Sequence, residues 1–163
     1  MTAATITNYR LSAALSVGEE ETLQTVSRKL AESGVGAVVV LNDAGGLAGI
    51  ISEADVVRAL STHGLSVFAL KAGDIMTSKV YICTPQESEL RIMTWMTEKQ
   101  IRHMPVMDGD RVVGMVTLSD AVKQRLVRIR ELANDVGNTA DPEKRLGIFT
   151  RHLKSRPGSR SVF

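Results

Sequence analysis

The chain has 163 residues, 44% hydrophobic and 23% charged, with a formal net charge of +2. This is the make-up of a globular protein able to bury one core or two small ones, and it is neither disordered nor fibrous. The longest aliphatic run, Ala37 to Leu41, is far shorter than the roughly 18 apolar residues of a membrane span. Met1 to Tyr9 also lacks a basic flank followed by an apolar stretch, so a cytoplasmic location with no membrane partner is expected.

In chain order, a short apolar strand is predicted at about Ala13 to Val17, followed by an amphipathic helix over Glu21 to Ser33 with Val26 and Leu30 on one face. Val35 to Asn42 reads as a buried strand. A turn containing "DAGG" follows, then a strand ending in "GIISEAD" at residues 49 to 55, where a helix over Glu53 to Ser61 begins. Residues 62 to 77 read as a connector. The order then repeats. Val80 to Cys83, closed by Thr84-Pro85, precedes a helix over Glu87 to Lys99 with Ile92 and Met96 inward, and Ile101 to Asp108 lies under Val35 to Asn42. The turn "GDR" and the strand ending in "GMVTLSD", residues 114 to 120, complete the second copy, with a helix from Leu118 onward. A β-α-β-β-α unit is thus written twice. The fold class expected is α/β (α+β), with a C-terminal helical extension. The division is 1–63, a linker at 64–77, 78–128, and an extension and tail at 129–163.

The extension continues the last helix, because Val122, Leu126, Ile129, Ala133 and Val136 keep one apolar stripe for two heptads before Gly137-Asn138. This stripe either packs back on the chain's own core or pairs with a second copy. Pro142 to Leu153 is compatible with one more helix, and "KSRPGSRSVF" with a flexible basic end. Residues 123 to 163 carry a net charge of +6 and residues 1 to 122 a net charge of −4. A basic helix and tail make nucleic-acid binding a competing expectation, although no aromatic residues interleave the cations of the helix.

The repeated turn holds the chemistry. Ser52-x-x-Asp55 and Thr117-x-x-Asp120 each fit a capping box, which would account for both aspartates without a ligand. The other reading is that each carboxylate accepts two hydrogen bonds from a vicinal diol such as a ribose. A phosphate would then need cations elsewhere. Arg102 and His103 meet that need in the second copy, where the first has Gly36 and Ala37. Catalysis finds little support. There is no nucleophile with a base beside it, the histidines His63, His103 and His152 have no zinc-ligand spacing, and the single Cys83 permits neither a disulfide nor a multi-cysteine metal site. No metal and no catalytic cofactor are expected. Cys83 is read as an inert small hydrophobe, Met93, Met96, Met104, Met107 and Met115 as packing, and Trp95 as a core or interface residue.

With "GAVVVLNDAGGLAGIISEAD", "MTSKVYICTP" and "IRHMPVMDGDRVVGMVTLSD", the chain resembles the CBS domain family over about residues 10 to 128, as the tandem pair called a Bateman module. The resemblance implies pseudo-twofold packing of the two repeats and clefts that bind AMP, ADP, ATP or S-adenosylmethionine. By it, Asp55 and Asp120 hold ribose hydroxyls, Ser52 and Thr117 contact ribose or phosphate, and Arg102 and His103 meet phosphates. Adenine lies among Ala37, Val80, Ile82 and Ile50 or Met115. It further implies a homodimer and a stand-alone ligand-sensing module acting on a regulated protein that the sequence does not name. The second copy is expected to be the better phosphate site, since Gly18-Glu19 replaces Thr84-Pro85 and Gly36-Ala37 adds no charge. A structural or dimerisation module without ligand is the remaining alternative.

Overall fold

The computed structural model describes residues 15–137. The elements are β1 (Ser16–Gly18), α1 (Leu23–Ser33), β2 (Ala37–Leu41), β3 (Leu47–Ser52), α2 (Glu53–His63), a 3-10 helix (Gly64–Ala69), α3 (Ala72–Ile75), α4 (Glu89–Lys99), β4 (His103–Asp108), β5 (Arg111–Thr117) and α5 (Leu118–Gly137). Among the described residues they form two compact units. One consists of residues 15–84 with 103–117, the other of 85–102 with 118–137.

The first unit contains both hairpins. β2 pairs in parallel with β1 and antiparallel with β3, giving the sheet order β1-β2-β3, while β4 and β5 form an antiparallel pair. The alternation of side chains along a strand assigns each residue of β2 to a face. Val38 and Val40 join Val17, Val26, Leu30, Ile51, Ala59 and Val67 in one core. Ala37 and Val39 point the other way, into a second core with Met107, Val112 and Met115. β2 is buried on both sides, which is why it reads as an unbroken aliphatic run.

The duplication extends to register. Ala37 opposes Ser52 in one hairpin and His103 opposes Thr117 in the other, and each ladder slips at the same point, between Val40 and Leu41 and between Val106 and Met107. The parallel pairing of Val17 with Val40 recurs as that of Cys83 with Val106, so Cys83 is the second copy of Val17.

Three sequence expectations change. The first strand is Ser16–Gly18 rather than Ala13 to Val17, Ala13 itself lying outside the described residues. The strand expected over Val80 to Cys83 shrinks to a single bridge at Cys83, the buried residue of that stretch, while Tyr81 and Ile82 are exposed. Residues 64–77 are not a plain connector. Val67 and Ala72 enter the first core, and Thr77 exchanges two backbone hydrogen bonds with Ile50 at 3.1 and 2.9 Å, extending β3 outward. Val136, the helix proposed at Pro142 to Leu153 and the basic end "KSRPGSRSVF" lie outside the residues whose side chains are described.

In the second unit α4 packs on α5. Ser88 caps α4 by accepting from the Arg91 N–H at 3.3 Å, and Gln100 ends it with a left-handed backbone, φ 55°. Glu89 is 3% exposed and its carboxylate lies 3.3 Å from the Arg128 guanidinium of α5. Arg91 stacks 4.6 Å from the centre of the Trp95 ring.

Candidate functional site

The first repeated turn is laid out in full. β3 ends at Ser52 and α2 begins at Glu53, so Asp55 is the third helical residue. Its Oδ2 accepts from the Ser52 N–H at 2.8 Å and from the Ser52 hydroxyl at 2.7 Å. Its Oδ1 accepts from Arg58 at 2.7 Å. Asp55 thus satisfies the cap itself, as a carboxylate in a first helical turn does. The two oxygens are held unequally: Oδ2 lies within the turn, while Oδ1 is held by a guanidinium whose side chain is 72% exposed.

Arg58 was not foreseen from sequence. Its signal was available, since a cation three residues after the aspartate recurs as Asp120-x-x-Lys123. Both copies put on one helix face a group able to neutralise the carboxylate.

In the second copy β5 ends at Thr117 and α5 begins at Leu118, so Thr117 and Asp120 hold the positions of Ser52 and Asp55. The backbone confirms the pairing of the upstream residues. The Glu53 N–H donates to the Gly36 carbonyl at 3.1 Å, and the Leu118 N–H to the Arg102 carbonyl at 2.9 Å. Gly36-Ala37 is therefore the structural counterpart of Arg102-His103. Arg102 is exposed and His103 half-buried.

His103 is engaged within the first unit. Its Nε2 stands 2.7 Å from the Val35 carbonyl oxygen. A carbonyl only accepts, so Nε2 carries a proton and donates it. This bond ties the start of β4 to the residues leading into β2. Gly36 beside it takes a left-handed backbone, φ +80°, which favours glycine, while a Cβ there would make only ordinary contact with the His103 ring, 3.4 Å from Nε2. For Nε2 to meet a phosphate, the bond to Val35 has to open.

Of the residues expected around adenine, Ala37, Met115 and Ile50 are brought into one apolar cluster where the hairpins pack. Val80 is half-buried and Ile82 is 46% exposed, so Ile82 is not part of that buried cluster. Among the described residues no group of three or more His, Cys, Asp or Glu could hold a metal ion, and no helix is long and apolar enough to cross a membrane. Cys83 is buried and its thiol lies 3.7 Å from the Pro105 carbonyl.

The comparisons agree with this architecture. The sequence profile of the CBS domain matches residues 10–62 and again residues 72–126. A CBS domain-containing protein named as mitochondrial, CBSX3 from Arabidopsis thaliana, is 36% identical over 69% of this chain, which spans 56% of that relative's length. A solved CBS-domain protein from Agrobacterium tumefaciens superposes with a TM-score of 0.66 at 28% identity, covering 73% of this chain and 87% of that one. A second solved structure, a CBS domain pair in complex with methylthioadenosine and S-adenosylmethionine, shares the fold with a TM-score of 0.68 at 20% identity, covering 77% and 98%. Two matches in tandem, two hairpins with one register and two turns with one layout have a common origin: the chain belongs to the CBS domain family, as a pair of α+β repeats.

Proposed function

We propose that the chain is a regulatory module, not an enzyme, that binds an adenosine compound and passes the binding state to a partner protein. The observation that carries this reading is the unequal tenure of the Asp55 oxygens. Oδ2 is fixed in the helix cap, while Oδ1 is held by an exposed arginine that a ribose diol can replace. By position, Asp120 and Thr117 play the same part in the second copy, with Arg102 and His103 supplying charge for a phosphate. Ser52 contacts ribose in the first. Of the apolar residues assigned to adenine, Ile50, Val80 and Ile82 are accessible to it, while Ala37 and Met115 are buried in the cluster that Ile50 packs against. The related pair that holds methylthioadenosine and S-adenosylmethionine supports the ligand class, and AMP, ADP and ATP belong to it.

A homodimer fits the same reading. Val57, Leu60, Leu65 and Phe68 are 49–84% exposed on α2 and the 3-10 helix, and residues 53 to 69 carry two acids and one arginine, so self-pairing there meets little charge repulsion.

The test is a thermal-shift titration of nucleotide-free protein with AMP, ADP, ATP, S-adenosylmethionine and NAD. A ligand at 100 times its Kd adds about 2.7 kcal/mol, a rise of several degrees for a chain of this size. Asp120→Asn keeps a capping side chain but exchanges one acceptor oxygen for a donor, and should remove the rise while leaving the unliganded melting temperature nearly unchanged. A flat response to all five ligands would make the aspartates helix caps only.

A further inference from the structure

The Asp55 carboxylate is nearly filled before any ligand arrives. A carboxylate offers about four lone-pair positions, two on each oxygen. The Ser52 N–H and hydroxyl donate to Oδ2 at 2.8 and 2.7 Å, which uses both positions there. Arg58 Nη1 donates to Oδ1 at 2.7 Å, so about one position is left. A vicinal diol brings two donors. To accept both, the carboxylate has to release one of the three donors it already holds.

The three are not equally easy to release. The Ser52 N–H belongs to the capping box of α2, where an unpaired backbone donor is costly. The Ser52 hydroxyl sits on the same half-buried residue. The Arg58 side chain is 72% exposed against 13% for Asp55, so water takes up a released guanidinium, and an exposed ion pair within one helix is weak. On the reading that Asp55 holds the ligand's sugar, we propose that Arg58 is a specificity-determining residue of the first turn, a competitor for the Asp55 oxygen that the second hydroxyl of a ribose requires. A 2′-deoxynucleoside, with one hydroxyl to place, leaves the Asp55–Arg58 pair intact. A ribonucleoside gains a second hydrogen bond and breaks the pair, so the turn discriminates between the two sugars less than the carboxylate alone would. An uncharged ribonucleoside also binds with an unusual response to salt: screening weakens the attraction that it has to displace, and its affinity rises with ionic strength.

Calorimetry with adenosine and 2′-deoxyadenosine, both uncharged, is run on the full chain carrying Asp120→Asn, so that of the two repeated turns only the first offers a carboxylate. Adding Arg58→Ala, at an exposed position where alanine is a good helix former, should tighten adenosine binding about two- to fivefold, the worth of an exposed ion pair, and leave 2′-deoxyadenosine unchanged. Adenosine affinity should rise with salt while Arg58 is present and lose that rise in Arg58→Ala. An unchanged or weaker adenosine affinity in Arg58→Ala, or an equal gain for both nucleosides, would overturn the competition while leaving Asp55 as the ribose acceptor. A gain that appears in Ser52→Ala instead would overturn it too, since the hydroxyl would then be the donor that yields. Adenosine binding that survives Asp55→Asn undiminished, or no adenosine binding with Arg58 present or replaced, would overturn the ribose reading of Asp55 and the competition with it.

Discussion

Gly49 opens the first of the two repeated heptapeptides, and the structure gives its reason. A Cβ built there would stand 2.6 Å from Met76 Sδ, 2.8 Å from its Cγ and 3.0 Å from its Cβ, because residues 76 and 77 close over β3 through the Ile50–Thr77 bridge. Met76 is partly buried against the first core, so the whole side chain has to move rather than its flexible tip alone. Gly49→Ala should cost about 1–3 kcal/mol, as overpacking does, read as a lower midpoint in urea with an unchanged slope. A near-neutral result would show that Met76 swings clear. Asp55 makes a milder case, since the Ser52 N–H and hydroxyl both bind one of its oxygens. Its loss is that of a cap, about 1 kcal/mol, and any larger effect on nucleotide binding is separable from it.

At the scale of elements, Glu89 couples α4 to α5. Burial raises its pKa above the ordinary 4.5, against the opposing pull of Arg128 and Arg125. The folded state therefore holds a proton that the unfolded state has lost, and stability falls as pH rises from 4.5 through the raised value. Glu89→Gln has no such proton to lose. Over roughly pH 4 to 7 its melting temperature should gain on the wild type as pH rises, whereas a wild type that gains on the variant would mean that Arg128 outweighs burial. The helix itself was legible in sequence from Ile92 and Met96, as β2 was from its aliphatic run and the duplication from the two heptapeptides. The ion pair was not, because a glutamate in a first helical turn reads as a solvated charge until its partner 39 positions on is known. The same holds for His103, whose acceptor is a backbone carbonyl 68 residues away, and for Val67 and Ala72, two small residues in a connector whose burial depends on the tertiary core. What periodicity or repetition carried could be read. What a single long-range contact decides could not.

For the whole molecule, duplication sets two turns of one layout in chemically different surroundings. Arg102 and His103 stand where the first copy has Gly36 and Ala37, and Gly36 holds a left-handed backbone, φ +80°, that favours glycine over a charged residue. A phosphorylated ligand should then occupy one site per chain, the second, while S-adenosylmethionine, without phosphate, should discriminate less. Calorimetry with ATP and with S-adenosylmethionine on wild type, Asp55→Ala and Asp120→Ala separates these outcomes. ATP binding should survive Asp55→Ala and disappear in Asp120→Ala, and its affinity should fall with added salt as charge pairing requires. The opposite pattern, with ATP lost in Asp55→Ala and retained in Asp120→Ala, would mean that the His103–Val35 bond stays closed and keeps the imidazole from the phosphate. His103→Ala would then leave ATP affinity unchanged, whereas an imidazole released to the phosphate should make that variant bind about tenfold more weakly, the loss of one charge-assisted hydrogen bond.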